Sequence, residues 1–234
     1  MTFKAKALSL VRRGKREVIL TAIGFNGGNN LFKWQLAYSR TLDKGLISKV
    51  LYFPNQDAWL EMFPGLRKLS ITSDQIRFTD RRATYMGAAQ GVDYTPQERA
   101  RFIKDVLLTS DGFKQSLERA QAFVRDDDLV INVRRGDYYN SRFEPEFGIN
   151  IVEYVRQALA KQLALGPVGR VVLVSDNVPW CVDNLTHLAP QLEFVVNENR
   201  RDMFDDLAVL ACAKRLILAN STFSYWGAFI AQVL

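Results

Sequence analysis

The sequence predicts an α/β protein of two Rossmann-like domains, each a parallel sheet flanked by helices. Three observations predict it. From residue 129 onward, the apolar runs LVINV (129–133), RVVLVS (170–175), LEFVV (192–196) and RLILAN (215–220) alternate with stretches at helical spacing. Those runs are apolar on both faces, as in strands covered by helices above and below. The start of the chain has a looser version of the same order, a strand followed by a glycine turn and a helix.

Taken in order, VILTAIG (18–24) reads as a buried strand and FNGGNN as the turn that leaves it. Residues 31–42 place Leu31, Trp34, Tyr38 and Leu42 at helical spacing, and VLYFP (50–54) reads as a second strand. Residues 55–128 are irregular, broken by Pro64, Gly65, Gly87, Gly91 and Pro96. Within them, Thr95 as N-cap, Pro96 in the first turn and Glu98 at the third position start a helix over 95–108, and a second covers 111–124. The regular half then supplies helices over 150–165, 178–188 and 202–213, and a last one from 223 to 233. The boundary falls near residue 127. It separates a looser N-terminal α/β domain (1–127) from a tidier C-terminal Rossmann-like domain (128–234), whose last helix reaches the end of the sequence.

A chain of 234 residues with 48% hydrophobic content buries a core without covalent staples. Its two cysteines, Cys181 and Cys212, make neither a disulfide framework nor a metal knuckle. The formal charge of +6 favours anionic partners, whether nucleic acid, an anionic membrane surface or a phosphorylated small molecule. Residues 4–16 (KAKALSLVRRGKR) concentrate six of the cations and read as a solvated arm. No run approaches the length of a membrane span, and charges interrupt the N-terminus too often for a signal peptide.

In an open parallel sheet, ligands bind beyond the carboxyl ends of the strands. That rule selects residues 24–30, 134–138, 175–177, 197–199 and 220–224. Arg134 and Arg135 offer planar, permanent cations for phosphate oxygens. Ser221, Thr222 and Ser224 offer hydroxyls where a helix opens, itself an anion site. Asp176 offers a carboxylate suited to the ring N–H and amino pair of guanine. Each has a structural alternative: an ion pair to a helix for Arg134, a helix cap for Asp176 and for Ser221. The lone histidine, His187, reads as packing or surface. Asp126, Asp127 and Asp128 lie at the opposite sheet edge and read as a solvated turn, so no metal site is expected. FNGGNN fits neither phosphate-binding glycine spacing. Aromatics are not interleaved with cations as a single-strand groove requires.

Several segments resemble the α-1,2-fucosyltransferases of glycosyltransferase family 11, relatives of the α-1,6- and protein O-fucosyltransferases. NVRRGDY (132–138) resembles their H-x-R-R-x-D-Y. GNNLF (28–32) resembles G-N-Q-x-F, VLVSDN (172–177) resembles a segment containing F-S-D-D, and residues 202–228 resemble a long block ending A-N-S-S-F-S-W-W-G-A. The resemblance implies a GT-B fold, GDP-fucose as donor, a glycan or oligosaccharide as acceptor, inversion at the anomeric carbon, and neither metal nor cofactor. By the same resemblance, Arg134 is catalytic and grips the donor diphosphate, Asp137 is a candidate catalytic carboxylate, and Arg135 braces the loop. Ser175 and Asp176 lie at the guanine, while Asn220, Ser221, Thr222, Phe223 and Ser224 line phosphate and ribose. Gly28 and Asn29 approach the cleft from the other domain. Asn132 stands in the cleft where the family has histidine.

The expected function is therefore inverting transfer of fucose to a glycan hydroxyl in α-1,2 linkage. A divergent relative that binds GDP-sugar or glycan without turnover is the alternative, motivated by Asn132 and the short C-terminus. An adhesive or nucleic-acid module rests only on Arg135-Gly136-Asp137 and the charge, and nucleic acid is not expected as a partner. Expected locations are the cytoplasm, with peripheral contact to an anionic membrane, or the Golgi lumen if an anchor lies outside this stretch.

Overall fold

A computed structural model describes residues 14–20, 27–85, 94–136, 139–142 and 144–234. The chain divides into two compact units, Met1–Lys114 and Gln115–Leu234. The division falls inside a helix, one helix ahead of the boundary read from the sequence.

The first unit contains strands β1 (Arg16–Leu20), β2 (Ile47–Leu51), β3 (Ser70–Ile71) and β4 (Arg81–Thr84), all parallel, in the order β3-β2-β1-β4. Helix α1 (Asn29–Lys44) starts at Gly28 and stops at Gly45, whose φ of 58° is left-handed and open to glycine. It buries Leu31, Phe32, Trp34 and Ala37, and Trp34 Nε1 donates to Ser70 Oγ at 2.9 Å. Burying each such side chain contributes about 1.5–3 kcal/mol. Helix α2 (Asp57–Met62) follows β2. Helix α3 (Pro96–Phe102) begins with the expected capping box. Thr95 Oγ1 accepts from Glu98 N at 3.2 Å, and the Glu98 carboxylate accepts from Thr95 N at 2.7 Å. It continues as a π-helical turn over Ile103–Leu107. Helix α4 (Asp111–Phe123) carries the chain into the second unit. The strand expected over 18–24 is described only to Leu20, and residues 21–24 lie outside the described residues.

The second unit contains β5 (Leu129–Val133), α5 (Glu144–Phe147), α6 (Ile151–Leu165), β6 (Arg170–Ser175), α7 (Val178–Leu185), β7 (Glu193–Val196), α8 (Met203–Cys212), β8 (Arg215–Ile217) and α9 (Thr222–Ala231). Its strands are parallel in the order β7-β6-β5-β8. Every residue of β5 and β6 is buried, as two-faced cover requires. Leu129, Ile131, Val133, Val171 and Leu173 meet Ile151, Val155 and Leu159 of α6 and Cys181 and Leu185 of α7. The alternate residues, Val130, Asn132, Val172 and Val174, therefore point to the other face. There α8 and α9 pack closely: a Cβ on Gly227 would lie 2.5 Å from Leu210 Cβ.

Two expectations are corrected here. β8 ends at Ile217, not at 220, because the Leu218 carbonyl accepts from Tyr154 Oη at 2.7 Å and leaves the ladder. The acidic triplet is not a solvated turn throughout. Asp128 is fully buried and receives Arg170 Nε at 2.8 Å and Nη2 at 3.0 Å, with Arg125 N at 2.7 Å. This bidentate pair joins the amino ends of β5 and β6.

Candidate functional site

In the second unit the chain runs from β5 outward to β6 and β7, then returns to β8 on the opposite side of β5. Helices leaving β5 and β8 therefore diverge onto opposite faces, and a crevice opens between the carboxyl ends of these two strands. Residues 134–136 follow β5 directly, and 218–221 lead from β8 into α9. Topology alone thus brings the arginine pair and the serine-rich turn to one place.

Arg134 Nη1 sits 2.7 Å from Asp176 Oδ2, and both side chains remain partly exposed, at 39% and 27%. The other Asp176 oxygen accepts from the Arg135 backbone N–H at 2.9 Å. Gly136 makes this arrangement possible. Its φ is +23°, and a Cβ there would stand 2.6 Å from Asp176 Oδ2 and 2.8 Å from Arg134 Cζ. Arg135 turns away and lies over two rings, 4.1 Å from the Trp180 centroid and 4.7 Å from that of Tyr139. Such cation–π contacts fix its side chain.

The structural alternatives considered for these residues can be compared with the contacts each one makes. Helix α7 is capped by Asn177, whose Oδ1 accepts from Trp180 N at 3.2 Å, so Asp176 is not its cap. Ser221 occupies the N-cap of α9 but makes no side-chain cap hydrogen bond. Arg134 pairs with the carboxylate of Asp176, in the turn after β6.

Three of the expected site residues are buried and already engaged. Asn132 is 7% exposed; its Nδ2 donates to Val174 O at 3.0 Å and its Oδ1 accepts from Ser224 Oγ. Ser224 is itself fully buried. Ser175 Oγ accepts from Asn177 N at 3.0 Å, and Ser175 is 6% exposed. Asn220, Thr222 and Phe223 are half-buried at the α9 entrance. Asp137 lies outside the described residues. Gly28 and Asn29 begin α1 in the first unit, followed by Asn30 and Gln35, whose amides are fully buried without hydrogen-bond partners. His187 is exposed on the turn after α7.

The sequence reading missed a charged cluster beside the carboxyl end of β7. Asp205, 4% exposed, receives Arg119 Nη2 at 2.9 Å and Arg201 Nε at 3.0 Å. With Ser116, Phe123, Asn197 and Asn199, Arg119 and Asp205 border a cavity of about 390 Å³. Within that lining the charges of Arg119 and Asp205 balance, and Arg201 pairs with Asp205 from outside it. The available signal was the Asp205–Asp206 pair, two charges inside an otherwise apolar helix. Asp206 is pushed up in pKa by burial, against the lowering effect of Arg200.

A family model described as glycosyl transferase family 11 matches residues 95–233. Over 101 residues the chain is 27% identical to the O-antigen biosynthesis glycosyltransferase WbnK of Escherichia coli, covering 43% of this chain and 33% of that one. It is also 27% identical over 104 residues to the galactoside alpha-(1,2)-fucosyltransferase 1 of Homo sapiens, covering 43% and 28%. The matched regions thus span about a third of the length of these curated relatives. Among solved structures, the chain resembles the NodZ alpha-1,6-fucosyltransferase soaked with GDP-fucose, with a TM-score of 0.50, 13% identity and 93% of each chain covered. At that identity the likeness is one of fold. Two parallel four-stranded sheets flanked by helices make this a GT-B-type fold of two Rossmann-like units.

Proposed function

The chain belongs to glycosyl transferase family 11, and from that membership we propose that it transfers fucose from GDP-fucose to a hydroxyl of a glycan acceptor, with inversion and in α-1,2 linkage. The names of curated relatives support a fucosyl transfer, and that of the human relative supports the linkage. The observation that carries the reading is the Arg134–Asp176 pair held over Gly136 at the switch point. It presents a positioned guanidinium where a diphosphate would lie.

In this reading, charge grows on the departing diphosphate as the glycosidic bond breaks. Arg134 meets it with a planar fork, and the helix N-terminus at the start of α9 favours negative charge at the other side of the crevice. Asp176 orients Arg134, since both of its oxygens are engaged by the arginine pair. Asn220, Thr222 and Phe223 flank the phosphates and ribose. Ser221, 8% exposed at the N-cap of α9, makes no side-chain cap hydrogen bond and carries a hydroxyl at the helix start. Asn132, Ser175 and Ser224 support the site from beneath. With Asn132 occupied at both ends, the acceptor hydroxyl loses its proton to another group, for which Asp137 remains the sequence candidate. Cationic side chains and helix N–H groups serve the leaving group, so a chelator is expected to leave turnover unchanged.

Calorimetric titration of GDP tests the reading. Arg134→Ala should weaken binding by about tenfold or more, given that charge-assisted contacts are worth about 1.5–3 kcal/mol. Equal affinity of the two proteins, or no binding by either, ends it. One observation favours a second reading, a non-catalytic GDP-sugar binder: Asn132 is fully committed to hydrogen bonds within the fold. That reading predicts GDP binding with no fucosylated product on a glycan array.

A further inference from the structure

The amino-terminal edge of the first sheet carries a surface that the proposed transfer does not use. Three elements meet there. Ile47 starts β2 opposite Arg16 of β1, and its N–H donates to Lys15 O at 2.9 Å. On the other side of β1, residues 75–80 wrap the edge: Arg16 Nη2 donates to Gln75 O at 2.9 Å and pairs with Asp80 at 2.6 Å. Gly14 lies against Thr79, a Cβ there falling 3.2 Å from its carbonyl oxygen. The end of α1, at Leu42 and Lys44, precedes Ile47 by a short turn.

This edge exposes large apolar side chains that a soluble surface ordinarily hides. Phe78 is 63% exposed, Ile47 52% and Leu42 43%. Around them Lys15, Lys44 and Arg77 are exposed cations. Arg82 donates to the backbone carbonyls of Asp80 at 2.8 Å and Arg77 at 3.1 Å, which leaves its charge in place. Of the carboxylates at this edge, Asp80 is spent on Arg16, leaving Asp43 and Asp74. The patch is thus cationic with apolar tips.

We infer that this edge docks on an anionic lipid surface, with Phe78, Ile47 and Leu42 entering the headgroup boundary and the cations meeting lipid phosphates. Charge complementarity selects an anionic partner. The aliphatic tips select hydrocarbon over nucleic acid, because Ile47 and Leu42 offer a base no stacking face. Apolar insertion joined to a basic rim is the general physics of interfacial binding. The residues belong to the first unit and the donor-site residues to the second, so separate variants test the two assignments and they fail independently.

Cosedimentation of the full chain with vesicles tests the inference. Vesicles of phosphatidylcholine alone are compared with vesicles that also contain phosphatidylglycerol. The wild type should partition onto the anionic vesicles and release with salt. Arg77→Ser and Lys44→Ser should each weaken partitioning about fivefold, the equivalent of one cation near an anionic surface. Phe78→Ser and Ile47→Thr should weaken it without changing the salt slope. GDP titration and circular dichroism of the same variants should match the wild type. Partitioning that ignores lipid charge, absence of binding to anionic vesicles, or binding insensitive to Phe78 and Ile47 but competed by DNA would each overturn the assignment. The last result would mark a nucleic-acid surface.

Discussion

Ser224 Oγ donates to Asn132 Oδ1 across the switch point, while Asn132 Nδ2 donates to the Val174 carbonyl. One amide thus ties the first turn of α9 and the strand β6 to β5. The carbonyl can only accept, which fixes the amide's orientation. Truncating Asn132 to Ala should leave the Val174 carbonyl and the Ser224 hydroxyl buried and unpaired. Each such group costs about 1–3 kcal/mol, so a loss of roughly 2–6 kcal/mol is expected in urea unfolding. Ser224→Ala should cost less, and the double variant should fall short of the sum. Additive losses would mean that the two side chains do not act together.

Gly136→Ala should damage the site more than the fold. The added methyl meets the movable ends of Arg134 and Asp176, not backbone. Those ends will separate, so GDP affinity should fall about tenfold, while the positive φ at Gly136 adds a stability loss of only about 1–2 kcal/mol. Retention of wild-type affinity would show that the close approach at Gly136 is irrelevant to donor binding.

Arg134→Lys keeps the charge but not the fork, and it should rescue little. A loss in kcat of about 10²–10³ is expected, the scale of removing one well-placed donor to a developing anion. Steady-state kinetics at saturating donor isolates the effect. Recovery of most activity in the lysine variant would reduce Arg134 to a point charge.

The buried pair at the opposite edge gives a stability test free of the active site. Asp128→Ala leaves Arg170 without its carboxylate where the latter was fully buried. Breaking such a pair costs about 3–5 kcal/mol. Thermal unfolding of the variant should show this loss, and GDP binding at low temperature should survive it.

Lys33, 1% exposed in α1, is lowered to a pKa of about 8 by burial. Its folded value lies below its unfolded value, so the unfolded chain binds more protons between pH 8 and about 10.4. Its contribution to stability therefore rises with pH across that window, by on the order of 3 kcal/mol at most. Cys212, raised by burial to about 11, works in the opposite direction above its unfolded value. The quantity to measure is the difference between wild type and Lys33→Met. It should slope upward with pH in favour of the wild type from 8 to 10. A flat difference would mean that the amine stays charged in the fold.

The second unit was nearly all legible in the sequence. LVINV and RVVLVS have the bounds of β5 and β6, because two-faced burial admits only apolar residues there. The first unit was harder. Strand β4 reads RRAT and β3 has two residues, so neither carries the apolar run that marks a strand. At the site, Arg134 and Asp176 were visible one by one, yet their pairing depends on strand order, which periodicity does not encode. Burial separated the list further: Ser175, Ser224 and Asn132 stand at strand ends and helix starts but point inward. Asp205 was hidden for the opposite reason, since its partners Arg119 and Arg201 come from two different segments.

The stacking of Arg135 on Trp180 gives the protein a built-in optical gauge. Of four tryptophans, Trp34, Trp59 and Trp226 are almost fully enclosed. Trp180 is partly accessible, and its indole lies under the guanidinium one residue beyond Arg134. Collisional quenchers will therefore reach its emission first. When a nucleotide draws on the arginine loop, the quenchable fraction should change, so donor occupancy can be followed by intrinsic fluorescence in an unlabelled chain.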